Sequence, residues 1–493
     1  MILADLFCNI KATFIGNTTL DIKGLSYDSR KINKGDLFFA IDGTHLKGSD
    51  FAKQAIDNGA VCVVSNEEIK NLPVTNIVVE NVLDVMSKVS AKFYDYPDKK
   101  LTIIAVTGTN GKTSITYMAE SIFKRFGVET GVIGTINYRY ADVVIDAPNT
   151  TPQSLDLFKM MFDMVSKNIK YLIMEVSSHS LVLGRVKNIE FDIAVWTNLT
   201  QDHLDFHENI ENYFEAKRIL FSSLKNNRKN NKKYAIINSD DFYGKKLIES
   251  LDKTIKLITY SVEDKTADVN ADNLNLTNSG SSFELKCKYG NKKIKISHIG
   301  LHNVYNTLAV FCICVSNNFA FDKLASEIQN TLPAPGRFEK IVSNKKGITV
   351  IVDYAHTDDA LKNVICAIKN LHPARIITVF GCGGNRDKTK RPRMAKVACS
   401  LSDFVFITSD NPREENPVEI INDIEKGAKD TGKNNYRIVV NRKQAIKQAI
   451  DFAQRDDIVL LAGKGHETYQ IIGRQKIHFD DRQEAKEVLG IDN

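Results

Sequence analysis

The chain has 493 residues, 43% of them hydrophobic and 26% charged, a composition typical of a soluble globular protein with about two to four domains. The sequence contains no apolar run of 18 residues, so we expect no membrane span. Its first residues do not form a basic region followed by an apolar one, so we expect no signal peptide. A net charge of +6 is mild, and the basic run 225–233 lacks aromatic interleaving. We read that run as a solvated loop and expect no nucleic-acid partner. The 8 cysteines form no C-x-x-C pair, which favours a reduced, cytoplasmic setting.

The first hundred residues alternate short strands and helices. Apolar runs predict strands at 37–41, 61–65 and 76–80, and the segment 50–60 reads as a helix that ends at a glycine. The segment YDYPDKK (94–100) has the composition of a boundary. We therefore expect a small N-terminal α/β domain over residues 1–98.

The most informative stretch is LTIIAVTGTNGKTS (101–114), in which an apolar run meets a loop bracketed by glycines. This order predicts a strand, a phosphate-binding loop and a helix that starts near Thr113. The glycines let successive N–H groups face one anion, and the helix adds the positive end of its dipole. Lys112 is expected to reach the β- and γ-phosphates, and a hydroxyl after it can bind Mg²⁺. The predicted nucleoside triphosphate site comprises Gly108, Thr109, Asn110, Gly111, Lys112, Thr113 and Ser114.

Further apolar strands run into polar residues in both remaining thirds of the chain. In the middle third these segments are 171–180, 191–207 and 233–241, and after a proline- and glycine-containing linker (331–341) they are 348–357, 375–387, 403–413 and 457–467. Polar residues just past parallel strands line the ligand crevice of a doubly wound sheet. The sequence therefore predicts an α/β fold class, with a central P-loop ATPase-type parallel-sheet domain over 99–331 and a second parallel-sheet domain over 332–493.

Laid out in this order, the chain resembles the Mur ligase family over essentially its whole length. The G-T-N-G-K-T loop sets its first glycine two residues closer to the lysine than common phosphate loops do. The other shared motifs are EVSSH (175–179), TNLTQDHLDFH (197–207), HNVYN (302–306), DYAHT (353–357) and DNPR (410–413). The resemblance implies that the N-terminal domain binds the UDP substrate, the central one ATP, and the C-terminal, Rossmann-like one the amino acid.

The implied reaction is the ATP-dependent addition of the third residue of the peptidoglycan stem peptide. An acyl phosphate forms on UDP-N-acetylmuramoyl-L-alanyl-D-glutamate, an amino acid attacks it, and ADP and phosphate are released. The family's nucleotide contacts fall here on Asn303, Arg337 and Asp353, in addition to the phosphate loop. ATP and Mg²⁺ are the implied cofactors.

The resemblance also implies a metal and catalytic set. Glu175 and Thr113 would bind Mg²⁺, which prefers hard oxygen ligands, and His203 would bind a second ion. Lys217 matches a lysine that becomes carbamylated in the family, and its carbamate would join the metal ligands. That modification needs a neutral amine, and hence a depressed lysine pKa. The implied catalytic residues are Lys112, Lys217 and His203.

Two substrate sites are implied as well. The family's contacts to the muramoyl-dipeptide fall here on Ser29, Asn149, Thr150, Thr151, Ser177, Arg185 and His356. The contacts to the amino acid fall on Arg386, Asp410, Asn411, Pro412, Arg413, Gly463 and Glu467. D-N-P-R is the pattern of members that add meso-diaminopimelate. The arginine suits the distal carboxylate of that substrate, which L-lysine lacks.

The sequence alone leaves other functions open. The nearest alternative is the same ligation with L-lysine. A folylpolyglutamate-synthase-like ligase shares the phosphate loop but needs neither the N-terminal unit nor the D-N-P-R loop. A P-loop NTPase switch and a non-catalytic nucleotide-binding module are more distant. For the favoured reading we expect small-molecule substrates and a monomer.

Overall fold

Apolar runs of the sequence form strands, and the amphipathic segments between them form helices. The computed structural model describes residues 1–43, 46–225, 227, 229, 233–277, 279–343 and 346–491. The chain groups into two units, one of Met1–Lys112, Phe126–Leu199 and His203–Ile258, the other of Thr113–Arg125, Thr200–Asp202 and Thr259–Asn493. The predicted α/β class is confirmed. The three domain boundaries drawn from the sequence stay predictions.

The N-terminal region is a five-stranded sheet with helices. Its elements are α1 (Leu3–Leu6), β1 (Thr13–Ile15), β2 (Gly24–Ser26), β3 (Asp36–Phe39), α2 (Ala52–Asp57), β4 (Cys62–Ser65), β5 (Thr75–Val78) and α3 (Val82–Phe93). The strand order is β1-β5-β4-β3-β2, in which β1 is antiparallel to β5 and the other pairs are parallel. The side chain of Asn81 caps α3 by accepting from the Asp84 N–H, and α3 buries its valine and methionine face.

The next region carries the phosphate loop between its first strand and helix. Its elements are β6 (Thr102–Thr107), α4 (Lys112–Arg125), β7 (Thr130–Ile133), β8 (Asn137–Tyr140), β9 (Val143–Asp146), α5 (Ser154–Ser166), β10 (Tyr171–Glu175), α6 (Ser178–Val182), β11 (Ile193–Trp196), α7 (Leu204–His207), α8 (Ile210–Leu224), β12 (Tyr234–Asn238) and α9 (Phe242–Glu249). Strands β7, β10, β6, β11 and β12 are neighbours in that order and run parallel. Glu175 pairs with Val106 and Trp196 with Thr107, so three neighbouring strands end side by side.

A third region joins short strands to an apolar helix. Its elements are β13 (Lys256–Ser261), β14 (Val269–Thr277), β15 (Gly280–Cys287), β16 (Gly290–Ile296), α10 (Leu301–Ser316) and α11 (Phe321–Glu327). Strands β14, β15 and β16 form an antiparallel meander. Cys312 and Cys314 are fully buried on the apolar helix α10.

The C-terminal region is a six-stranded sheet with a separate hairpin. Its elements are β17 (Glu339–Ser343), β18 (Ile348–Asp353), α12 (Asp358–Lys369), β19 (Ile376–Phe380), α13 (Lys390–Leu401), β20 (Phe404–Ile407), α14 (Pro417–Lys429), β21 (Tyr436–Ile438), α15 (Arg442–Phe452), β22 (Ile458–Ala462), β23 (Tyr469–Ile472), β24 (Gln475–His478) and α16 (Asp481–Leu489). The order is β17-β18-β22-β19-β20-β21, with only β17 antiparallel. Asp353 pairs with Ala462 and Phe380 with Ile407, so the loops after four adjacent strands share one edge.

The basic run 225–233, predicted to be solvated, differs from that prediction at Asn227 and Lys229, and its residues 226, 228 and 230–232 lie outside the described residues. Asn227 is buried, the Lys229 side chain is 4% exposed, and Lys229 Nζ lies 2.7 Å from the buried Asp192 carboxylate. The other residues of the run that the structure describes, Lys225 and Lys233, lie at its ends. Among all the described residues, no helix is both long and apolar enough to cross a membrane.

Candidate active site

The phosphate loop has a backbone that demands glycine at its start. Gly108 has φ 141°, and a Cβ there would lie 1.8 Å from Thr197 Oγ1. Gly111 has φ 91°, also in the region that favours glycine. Lys112 Nζ donates to the carbonyls of Gly108 and Thr109, both at 2.9 Å, so its ammonium lies over the loop. Such a loop, opening a helix, suits a phosphate chain.

The end of the neighbouring strand braces this loop. Thr109 N donates to the Asn198 carbonyl at 2.8 Å, and Asn110 N donates to Asn198 Oδ1 at 3.1 Å. Thr197 Oγ1 donates to the Asn110 carbonyl at 2.6 Å. Thr197 and Asn198 were not assigned a role from the sequence, although both lie in the TNLTQDHLDFH motif. The pairing of β11 with β6 explains their place.

Lys217 reaches the same loop from helix α8. Its side chain is 1% exposed, and Nζ donates to the Gly108 carbonyl at 2.9 Å. The amine also lies 4.5 Å from the centre of the Tyr213 ring. Burial favours the neutral form of an amine, which is the form that carbamylation requires, and the carbamylation of Lys217 stays a prediction. The centre of the His203 ring lies 4.9 Å from the centre of the His179 ring. His203 has a left-handed backbone, with φ 52°.

Glu175 ends strand β10 with its carboxylate held in place. Thr135 donates to it twice, from N to Oε1 and from Oγ1 to Oε2, both at 2.9 Å. A Cβ at Gly134 would lie 2.3 Å from Oε1, so that position has no room for a larger residue. Thr135 was missed by sequence reasoning, because nothing in the local pattern links it to Glu175, which lies 40 residues away.

The predicted muramoyl-peptide residues of this unit come together around Glu175. Thr151 Oγ1 donates to the Glu175 carbonyl at 2.9 Å and accepts from Ser177 N at 3.1 Å. Arg185 Nη1 donates to the Thr151 carbonyl at 3.0 Å. Thr150 Oγ1 lies 3.1 Å from Thr135 Oγ1. The Asn149 carbonyl accepts from Tyr138 Oη at 2.5 Å, which fixes the start of the segment.

The guanidinium group of Arg185 has an N–H donor that is not used in a hydrogen bond to any described residue. Burial lowers the pKa of this arginine. Its Nε is buried and has no hydrogen-bond partner among the residues that the structure describes. A half-buried guanidinium with an unsatisfied N–H fits an anionic ligand such as a carboxylate.

Ser29 lies apart from that cluster along the chain, in the N-terminal region. It is buried, and its Oγ donates to Gln54 Oε1 at 2.7 Å. Asn58 Nδ2 donates to the Ser29 carbonyl at 2.8 Å. A role for Ser29 in binding the uridine nucleotide stays a prediction.

In the second unit, Arg337 contacts the residue that follows the phosphate-loop lysine. Arg337 Nη2 donates to Thr113 Oγ1 at 3.3 Å, and its guanidinium stacks 4.7 Å from the Tyr354 ring centre. The Tyr354 ring in turn lies 4.8 Å from that of His466. Tyr354 belongs to the DYAHT motif, but the sequence alone predicts no role for it.

The other predicted nucleotide residues of this unit are engaged by their own neighbours. Asp353 accepts from the N–H groups of Phe338 and Ala355, both at 2.8 Å, which ties the linker to the end of β18. Asn303 is buried and donates to the Ile299 carbonyl at 2.9 Å. His356 Nδ1 lies 2.9 Å from the Tyr354 carbonyl.

The predicted amino-acid residues meet at the edge of the C-terminal sheet. Gly384 N donates to the Asn411 carbonyl at 2.9 Å, and Arg413 Nη1 donates to the Gly384 carbonyl at 2.8 Å. A Cβ at Gly384 would lie 1.9 Å from the Pro412 carbonyl oxygen, so only glycine allows the two loops this contact. A Cβ at Gly463 would lie 3.2 Å from Asp410 Oδ2.

The hairpin of β23 and β24 holds the D-N-P-R segment. Gln470 Nε2 donates to the Asp410 carbonyl at 2.5 Å, and Ile471 N donates to Asn411 Oδ1 at 2.9 Å. Arg413 forms a bridge to the same strand, with its N–H donating to the Ile471 carbonyl at 3.1 Å. Arg386 lies outside this set and is exposed, with Nη1 donating to the Asn385 carbonyl at 3.2 Å.

Behind these loops lies Lys464, which sequence reasoning missed. It is fully buried, and Nζ contacts Glu467 Oε2 at 3.1 Å and Asp410 Oδ1 at 3.3 Å. Burial alone would raise the pKa of Asp410, but Lys464 and Arg442 hold it below its ordinary value. Burial raises the pKa of Glu467 above its ordinary value, although Lys464 opposes the change. The feature of the sequence that could have indicated Lys464 is its position between two glycines in the segment GKGHE (463–467).

The predicted metal ligands include the oxygen donors that Mg²⁺ prefers. Within the described residues, no group of three or more His, Cys, Asp and Glu side chains is placed to hold a metal ion. The predicted set is of another kind, since it uses the Thr113 hydroxyl, the Glu175 carboxylate and a modified Lys217. Hard oxygen donors beside a phosphate loop fit Mg²⁺, which takes its remaining ligands from phosphate and water.

Three family models match the chain. They are the Mur ligase family catalytic domain over residues 21–94, the Mur ligase middle domain over 106–314, and the Mur ligase glutamate ligase domain over 336–465.

Named relatives match along nearly the whole length. The chain is 45% identical over 476 residues to the UDP-N-acetylmuramoyl-L-alanyl-D-glutamate--2,6-diaminopimelate ligase 1 of Clostridium acetobutylicum, and the match covers 96% of each chain. It is 44% identical over 487 residues to the ligase of the same description from Fusobacterium nucleatum, covering 98% of this chain and 97% of the relative. A solved structure of such a ligase matches with a TM-score of 0.69 at 31% identity, over 99% of both chains.

Proposed function

The chain belongs to the Mur ligase family, and from this we propose that it is the ATP-dependent ligase that adds meso-diaminopimelate to UDP-N-acetylmuramoyl-L-alanyl-D-glutamate. This reaction makes a peptidoglycan precursor and releases ADP and phosphate. Relatives that match nearly the whole chain are named for this activity.

The preference for diaminopimelate over L-lysine is inferred from the surroundings of Arg413. Its guanidinium is half-buried, bonds the Gly384 carbonyl, and has no ion-pair partner among the described residues. A half-buried cation without a counter-charge favours an anionic group of the ligand. Diaminopimelate offers its distal carboxylate there, whereas L-lysine would leave the cation unpaired.

The phosphate loop supports the nucleotide half of the proposal. The loop N–H groups and Lys112 would bind the triphosphate, with Asn303, Arg337 and Asp353 completing the nucleotide site. Thr113 and Glu175 would hold one Mg²⁺, and His203 and a carbamylated Lys217 a second. Bound Mg²⁺·ATP supplies the phosphoryl group that activates the D-glutamyl carboxylate as an acyl phosphate.

The chain's own residues then position the acceptor. Arg185 would hold a carboxylate of the muramoyl-dipeptide through its unsatisfied N–H, next to the Thr151 and Ser177 hydroxyls. The two bonds from Thr135 keep the Glu175 carboxylate in one orientation. Such positioning lowers the barrier because the reacting groups are held near attack geometry before they react.

We further propose that the enzyme acts in the cytoplasm on small-molecule substrates. All 8 cysteines of the chain are free thiols, which agrees with a reducing compartment.

The test is phosphate release from ATP by the purified protein. UDP-N-acetylmuramoyl-L-alanyl-D-glutamate is supplied with meso-diaminopimelate or with L-lysine in parallel assays. Turnover only with diaminopimelate is expected. Turnover with lysine instead would overturn the reading of Arg413, and turnover with neither would overturn the ligase assignment.

A further inference from the structure

The amino-acid edge of the C-terminal sheet contains a fully buried lysine that satisfies three acceptors at once. Lys464 Nζ donates to Glu467 Oε2 at 3.1 Å and to Asp410 Oδ1 and Asn411 Oδ1, both at 3.3 Å. An ammonium has three N–H donors, so each donor has one acceptor. Such full satisfaction is what a buried charge requires.

Asn411 is locked by the same network. Its Oδ1 accepts from both Lys464 Nζ and Ile471 N, and its Nδ2 donates to Glu467 Oε2 at 2.9 Å. The amide therefore has one orientation, which leaves one N–H of Nδ2 for a ligand.

The cluster has an excess of negative charge. Asp410 and Glu467 carry two negative charges and Lys464 carries one positive charge, which leaves one negative charge in total. The adjacent Arg442–Asp481 pair, whose members lie 2.6 Å apart and are fully buried, is neutral. Asp410 Oδ2 and Glu467 Oε1 accept no hydrogen bond from any described residue of the chain. One cationic group of a ligand would therefore complete the cluster.

We infer that Lys464 is a positioning residue for the amino acid, which holds the carboxylates of Asp410 and Glu467 where they receive the substrate's non-reacting ammonium. This inference rests on the proposed function, because the ammonium is that of diaminopimelate, whose neighbouring carboxylate would lie at Arg413. Without Lys464, two carboxylates in a closed site repel each other, and one of them takes a proton or turns away.

The experiment replaces Lys464 by methionine, which keeps the length of the side chain and removes its charge. The KM values for diaminopimelate and for ATP are measured by phosphate release, together with the melting temperature. We expect Lys464→Met to raise the KM for diaminopimelate about tenfold or more, equal to about 1.4 kcal/mol of binding free energy, with the KM for ATP changed less than about twofold. Equal changes in both KM values, or no change in either, would overturn the inference.

Lys229→Met is the matched control. Lys229 is also a buried lysine paired with an aspartate, but it lies in the other unit. Its loss is expected to lower the melting temperature and leave both KM values within about twofold, so that lost stability alone is separated from lost positioning. If Lys464→Met does not fold, Lys464→Gln keeps an N–H donor without the charge and is judged by the same KM ratio.

The experiment also distinguishes a wrong proposed function from a wrong role for Lys464. If the proposed function is wrong, the unmodified enzyme shows no turnover with diaminopimelate. Normal turnover in the unmodified enzyme, with an unchanged KM ratio in both Lys464 variants, would overturn the role of Lys464 alone.

Discussion

At the scale of single residues, Arg413 combines an uncommon backbone with an uncompensated charge. Its φ is 52°, a left-handed value that costs a non-glycine residue about 1 kcal/mol. Hydrogen bonds to strand β23 and to the turn after it offset that cost, because the Arg413 N–H donates to the Ile471 carbonyl and the Arg413 carbonyl accepts from Gly473 N at 2.7 Å. A strained residue held in this way is typical of a ligand site.

The first prediction concerns this residue. Arg413→Ala is expected to raise the KM for diaminopimelate by about 30-fold or more, since a broken buried charge pair costs about 2–5 kcal/mol, while the KM for ATP stays nearly constant. Steady-state phosphate release measures both. The control is Arg474→Ala, whose side chain is 93% exposed and pairs with Glu414 at the surface. Equal effects of Arg413→Ala on both KM values would contradict the role.

A second prediction concerns Lys217. Lys217→Ala is expected to lower the rate of phosphate release by about 10- to 100-fold or more, the range seen when groups that orient metal ligands are removed. A small added carboxylic acid such as acetate should restore part of the rate, because it replaces the carbamate. Arg218→Ala, a change at the next and partly exposed residue of α8, should leave the rate nearly unchanged. A near-normal rate for Lys217→Ala would remove it from the site.

A third prediction uses the pKa of His466. Burial, with Arg337 and Arg482 nearby, lowers this pKa from 6.5 to about 3, and its Nδ1 has no partner within the described residues. The folded pKa lies below the unfolded one, so the stabilising contribution of His466 is complete above pH 6.5. It is lost as the pH falls from 6.5 towards 3. Between pH 7.5 and 5.5 the unmodified protein should lose about 1.4 kcal/mol more unfolding free energy than His466→Gln. Urea unfolding at both pH values measures the difference, and equal losses would contradict it.

At the scale of elements, adjacent parallel strands supply the candidate sites. The ends of β10, β6 and β11 bring Glu175, the phosphate loop and Asn198 together, and the ends of β18, β22, β19 and β20 do the same for the amino-acid residues. The motifs were predictable because each is a contiguous pattern of strand, turn and helix. Contacts between loops were not, because they depend on the order and register of strands. Thr135, Thr197 and Lys464 were missed for this reason.

At Lys229, within the basic run 225–233, the prediction of a solvated residue was wrong. The composition of the run indicates a solvated face, but the partner that buries Lys229 is Asp192, which lies 37 residues earlier. Charge patterning alone does not reveal such a distant pair.

This pair gives a fourth prediction. Lys229→Met is expected to cost about 3–5 kcal/mol of unfolding free energy, because it leaves Asp192 buried without its counter-charge. Lys167→Met removes the partner of the exposed Asp142 at the surface and should leave the free energy of unfolding nearly unchanged. Denaturant unfolding of both variants is the measurement, and similar costs for the two would show that the burial of Lys229 has no energetic weight.

At the scale of the whole molecule, the fold class and the family were predictable from the sequence, and the domain boundaries and oligomeric state remain predictions. We expect a monomer, so light scattering after size exclusion should give a mass near 55.3 kDa. A mass twice this value that persists on dilution would contradict the expectation.

The hairpin of β23 and β24 has a consequence for protein engineering. Because it hydrogen-bonds Asp410, Asn411 and Arg413 from a separate part of the chain, the D-N-P-R segment does not hold its shape by itself. Grafting those four residues into a lysine-adding ligase would transfer the letters of the motif without its conformation. A successful exchange of amino-acid preference would have to transplant the hairpin and the GKGHE loop together with the motif, as one discontinuous module.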